Sequence, residues 1–129
     1  MSERTLTFPG PVSPAHTLAP QRRGPGDPCF QIDAEGAIWR TSLQPTGPVT
    51  ARIVRAAPDT VTCRAWGDGA EEFLANLPAL LGADDDDADF QPTHPTVEQA
   101  YRRVRHLRIG RTGRVLEALI PAVLEQRVQ

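Results

Sequence analysis

CFQIDAEGAIWRTSLQPTGPVTARIVRAAPDTVTCRAW, residues 29–66, reads as a run of short strands separated by tight turns. Cys29–Ile32 and Ala37–Leu43 flank the turn DAEG, and Val49–Ala57 is joined to Thr60–Trp66 by Pro58 and Asp59. Loops this short bring neighbours back antiparallel, because parallel neighbours need crossover helices and this stretch leaves no room for them. Upstream, Thr5–Phe8 alternates polar and apolar side chains and predicts one more strand. The intervening PGPVSPAHTLAPQRRGPGDP, residues 9–28, is dense in Pro and Gly and predicts an extended or turning loop around the sheet instead of a regular helix. Its G-P-G, and the G-D-G at Gly67–Gly69, complete no phosphate-binding pattern and read as turns.

Beyond residue 66 the apolar period changes from two to about 3.6. Asp68 is placed to cap a helix running to about Leu81, with Glu71 at the capping-box position and Ala70, Phe73, Leu74, Leu77, Leu80 and Leu81 on one face. Pro78 should tighten or break its last turn, and Gly82 should end it. ADDDDADF follows. A calcium-binding loop starting at Asp84 would need Gly at 89 and Glu at 95, where the chain has Asp89 and Pro95, so the run reads as a solvated linker. Pro95 opens a short helix with Val97, Ala100, Tyr101, Val104 and Leu107 on one side. Thr112 is then placed to cap a last helix, kinked at Pro121, with an apolar stripe of Leu116, Leu119, Ile120, Val123, Leu124 and Val128. No Gly, Asn or Pro follows the last periodic residue. The expectation is a helix cut in mid-course, at the front of something longer. The fold class expected is α+β, with an antiparallel unit over 1–82, an acidic linker over 83–94, and the start of a helical domain over 95–129.

At 129 residues, with 40% apolar and 23% charged content, the composition is that of an ordinary globular protein. There is no apolar run long enough for a membrane span and no signal-peptide pattern, so a cytoplasmic protein with no membrane partner is expected. Cys29 and Cys63 stand far apart without CxxC and read as buried, reduced thiols; His16, His94 and His106 show no metal-ligand spacing. All fourteen basic residues are Arg, which excludes a P-loop lysine and Schiff-base chemistry within these residues. The charge is zoned: seven Arg against five acids over 1–67, nine acids and no Arg over 68–98, seven Arg against two Glu over 101–129.

Three blocks, taken in this order, resemble the N-terminal portion of helix-hairpin-helix DNA glycosylases of the 3-methyladenine DNA glycosylase II branch. They are IWRTSL at 38–43, GDGAEEFLANLPALLGAD at 67–84 and, most specifically, LRIGRTGRVLEALIPAVLEQRV at 107–128. The resemblance implies a TATA-binding-protein-like antiparallel domain with a packed helix, followed by the first helices of an α-helical glycosylase domain. It implies base excision repair, the hydrolysis of the N-glycosidic bond of an alkylated base flipped out of duplex DNA, with an ionised Asp stabilising the cationic sugar. That Asp and the helix-hairpin-helix belong to sequence beyond Gln129, since none of Asp33, Asp59 or Asp68 stands in a matching motif. No catalytic residue, cofactor or metal ligand is assigned here, and the fragment is expected to be inactive alone.

What the resemblance does carry over is a DNA contact at Gln126 and Arg127, the latter at the position that fills the gap left by the flipped nucleotide. The plainer alternative is a solvated helical arginine. The family's aromatic-bearing pocket stretch corresponds to Thr17-Leu18 through Arg22, which has no aromatic. Trp39, Trp66, Phe30 and Phe73 read as core. Two competing functions are a non-catalytic module docking a separate partner, such as a missing catalytic half, through its last helix, and a non-specific nucleic-acid binder using the basic C-terminal zone.

Overall fold

The computed structural model describes residues 1–128. Among them the chain forms β1 (Ser2–Thr7), α1 (Pro14–Leu18) with a 3-10 turn (Ala19–Gln21), β2 (Phe30–Ile32), β3 (Ile38–Gln44), β4 (Gly47–Ala57), β5 (Thr60–Trp66), α2 (Ala70–Leu80), α3 (Pro95–Arg103) and α4 (Val115–Glu125). The strands make one antiparallel sheet in the order β1-β5-β4-β3-β2. Three hairpins account for β2 through β5, and β1 returns to pair with β5 at the far edge. The fold is α+β. No helix among the described residues is long and apolar enough to cross a membrane.

Alternation on β3, β4 and β5 sends Ile38, Val49, Ala51, Ile53, Val61, Cys63 and Ala65 to one face, all at most 3% exposed. Onto this face α2 lays Phe73, Leu74, Leu77 and Leu80, while Leu18 of α1 and Val12 close the core beside them. Pro78 lies inside α2 and removes the amide that would bond the Leu74 carbonyl. Arg4 on β1 supplies the missing donor, its Nη1 reaching the Leu74 carbonyl at 2.7 Å.

Four local expectations are corrected. The cap of α2 is Gly69 and not Asp68, and no side chain caps it. A Cβ at 69 would collide with the Gly47 carbonyl, so the close approach of the β3–β4 turn selects glycine there. Glu71 bonds Ser2, and Glu72 accepts from the Thr46 amide at 3.0 Å and its hydroxyl at 2.7 Å. Residues 14–18 are helical after all, with Ser13 as N-cap accepting from the His16 amide and Pro14 at the first position. Arg114, not Thr112, precedes α4; the Thr112 hydroxyl instead accepts from the Arg114 amide at 3.0 Å. Finally, only Cys63 is buried, for Cys29 is exposed.

The acidic run is held at two points: the Asp85 carboxylate accepts from the Ile109 amide at 2.9 Å and Asp87 from the Tyr101 hydroxyl at 2.8 Å. Segment 107–111 also lies against the end of α2, where the Arg111 amide donates to the Ala79 carbonyl at 2.8 Å. Gly110 makes that approach possible, because a methyl there would collide with the Leu80 carbonyl.

Candidate nucleic-acid interface

Gln126 and Arg127 lie at the end of α4, both exposed. Gln126 is the C-cap, and the Arg127 and Val128 amides bond back to the Leu124 carbonyl at 3.2 and 3.0 Å, so the helix ends in a tight turn. Both residues are therefore exposed where the helix ends. Of the basic residues before them, Arg102 pairs with Glu98 at 2.5 Å, Arg105 stacks on Tyr101, and Arg103 is exposed.

The azimuth of α4 is the unexpected feature. Its apolar stripe faces away from the body: Leu116, Leu119, Ile120, Val123 and Leu124 are 50–66% exposed, and Val115 is 72% exposed. The opposite side, at positions 114, 117, 118, 121 and 125, turns toward the sheet. Arg23 donates to the Ala118 carbonyl at 3.0 Å and pairs with Glu125 at 3.2 Å. Glu117 accepts from the Ser42 hydroxyl at 2.9 and 3.0 Å and from the Leu43 amide at 2.6 Å, with Arg40 at 4.0 Å.

Between this side of α4 and the β3–β4 end of the sheet lies a cavity of about 750 Å³ whose walls include Phe30, Arg40, Ser42, Trp66, Glu117 and Pro121. Arg40 is 8% exposed and bonds Gln21. Burial draws its pKa below the ordinary value, opposed by the charges of Glu117 and Asp27. This seam escaped the sequence reading, although a signal existed: Arg40, Ser42 and Gln44 alternate on the inward face of β3, where polar side chains need partners.

Phe30 and Phe73 are core residues, at 3% and 4% exposure. Trp39 and Trp66 are not; they stack on the opposite face of the sheet, ring centroids 5.8 Å apart, with the Arg52 guanidinium over Trp39. Trp39 Nε1–H donates to Asp33 at 2.9 Å. That bond first, with the Ala37 amide, the Arg52 charge and the Glu35 amide, holds the Asp33 pKa below the usual carboxylate value against an opposing desolvation. In the stretch from Thr17 to Arg22, Thr17 and Leu18 are buried. Among the described residues, no group of three or more His, Cys, Asp or Glu is arranged to hold a metal ion.

No family model matches the sequence, and no curated protein matches it. Among solved structures, a 3-methyladenine DNA-glycosylase from Archaeoglobus fulgidus superposes on 98% of this chain with a TM-score of 0.72 at 13% sequence identity. The chain spans 45% of the length of that structure. At this identity the likeness is one of fold: the α+β arrangement resembles that of a little under half of that structure.

Proposed function

We propose that this chain is the N-terminal portion of a cytoplasmic base-excision-repair protein of the 3-methyladenine DNA glycosylase type, non-catalytic by itself, whose substrate in the complete protein is duplex DNA with an alkylated base. The observation that carries the reading is the fold likeness to a glycosylase of about twice the length. In this reading residues 1–82 brace the assembly, 83–94 link, and 95–129 begin the helical catalytic part. Gln126 and Arg127 contact the duplex, with Arg127 occupying the space of the flipped nucleotide. No carboxylate of this chain is assigned to the sugar cation, the largest single source of stabilisation in such chemistry.

A second reading is favoured by one specific observation, the outward apolar face of α4: a docking module whose partner is a separately encoded catalytic half. Both readings predict that the purified chain releases no 3-methyladenine from methylated duplex DNA above the uncatalysed background. Adding a helix-hairpin-helix half of a related enzyme, fused or in trans, separates them: activity in trans supports the module, activity only on fusion supports the single protein. Base release by the chain alone overturns both.

A further inference from the structure

An amphipathic helix left to itself buries its apolar stripe, yet α4 presents that stripe to solvent and its polar side to the sheet. Something specific must hold it there, and the contacts converge on one side chain. β2 covers β3 only at Ile38–Arg40, and the Thr41 amide is taken by the Cys29 carbonyl at 3.0 Å. Two residues on, the Leu43 amide faces the open edge, where an unpaired donor invites pairing with another chain. The Glu117 carboxylate takes it at 2.6 Å, takes the Ser42 hydroxyl at 2.9 Å with the same oxygen, and stands 4.0 Å from the buried Arg40 guanidinium. One carboxylate thus accepts from an edge amide and the hydroxyl of a buried serine, and faces a buried cation.

We infer that Glu117 is a positioning residue: it latches α4 to the open edge of β3 and thereby fixes which way the apolar stripe and the Gln126–Arg127 end point. Arg23, bound to the Ala118 carbonyl and to Glu125, is the second tie along the same side. The latch stands on the geometry of this chain; only its consequence for DNA rests on the proposed function, so it is tested without DNA.

The test is amide exchange in the purified chain, combined with a spin-label distance between Ala122→Cys on α4 and Thr50→Cys on β4, in a Cys29→Ser background. In the parent protein the Leu43 amide should exchange at least tenfold slower than in a free peptide, with one narrow distance. Glu117→Ala should abolish that protection and broaden the distance distribution, while the Thr62 amide, in the middle of the sheet, keeps its protection and reports an intact fold. Glu117→Gln keeps an acceptor for Leu43 but loses the charge facing Arg40, and should give an intermediate distribution. If Glu117→Ala fails to fold, Glu117→Gln decides. Unchanged Leu43 protection and an unchanged distance in the folded variant would overturn the latch.

Discussion

Cys63 is fully buried on the inward face of β5, and burial alone pushes its thiol up to about 12, so at neutral pH it holds no thiolate to react. Cys29 is exposed at the rim of the cavity. Iodoacetamide should therefore modify one site in the native protein, Cys29, and reach Cys63 only under denaturant; mass spectrometry after a timed quench checks this. Asp33 supplies a second prediction. Its folded pKa is depressed, first by the Trp39 indole, so its stabilising contribution is present above the unfolded value near 3.8 and is lost as pH falls through the folded value below it. Trp fluorescence should change in that acid window, and in Asp33→Asn the change should be smaller. The burial of Cys63 was legible in the sequence, whereas the exposure of Cys29 and the Trp39–Asp33 bond were not, since both depend on how the edge and outer face of the sheet are covered. Arg127 is different: its assignment rests on the resemblance, and the structure places it exposed in the turn that follows α4. Its role is tested in a completed, active assembly, where Arg127→Ala should lower turnover on a well-paired lesion by about tenfold, because unstacking costs a few kcal/mol, and by less on a mispaired one. Equal losses on both duplexes would reduce Arg127 to a phosphate contact.

At the scale of elements, the strands were legible because their period-two patterns and turn residues agree with the antiparallel register found, Trp39 opposite Arg52 and Ile53 opposite Cys63. One error comes from distant backbone and another from an overlooked local cap. Gly69 caps α2 because the Gly47 carbonyl lies against it, and α1 forms inside a Pro-rich stretch because Ser13 and Pro14 start a helix that the core then takes up through Leu18. The same logic predicts the cost of losing a long-range donor. Arg4 bonds the carbonyl orphaned by Pro78, and a hydrogen bond with a charged partner contributes about 1.5–3 kcal/mol, so Arg4→Ala should lower the denaturation midpoint by that equivalent. Pairing it with Pro78→Ala, which restores the helical amide, should recover most of the loss. Gly110→Ala should separate segment 107–111 from α2, seen as loss of exchange protection at the Arg111 amide.

The whole molecule combines a conventional core with an inverted helix latched at the open edge of β3. A contiguous apolar stripe left in water is unusual, and here six side chains of one helix stand 50–72% exposed. The sequence displayed the stripe and its need for cover, but not its direction. Direction depends on Arg40, Ser42 and the Leu43 amide meeting Glu117 across 74 residues or more, a pairing that no periodicity encodes. Helix α4 is thus held by polar ties at its inner side while its hydrophobic side remains in water, so it should be the least stable element. Its amides should exchange faster than those of Thr60–Trp66 in the same molecule. As concentration rises the chain should also self-associate through the stripe. Sedimentation velocity on the parent, compared with Leu119→Glu/Val123→Glu, separates this from unspecific aggregation: the parent should shift to larger species with concentration, and the charged variant should remain monomeric with its sheet intact. If both behave alike while the α4 amides are as slow as those of β5, the helix is self-sufficient and the stripe needs no partner.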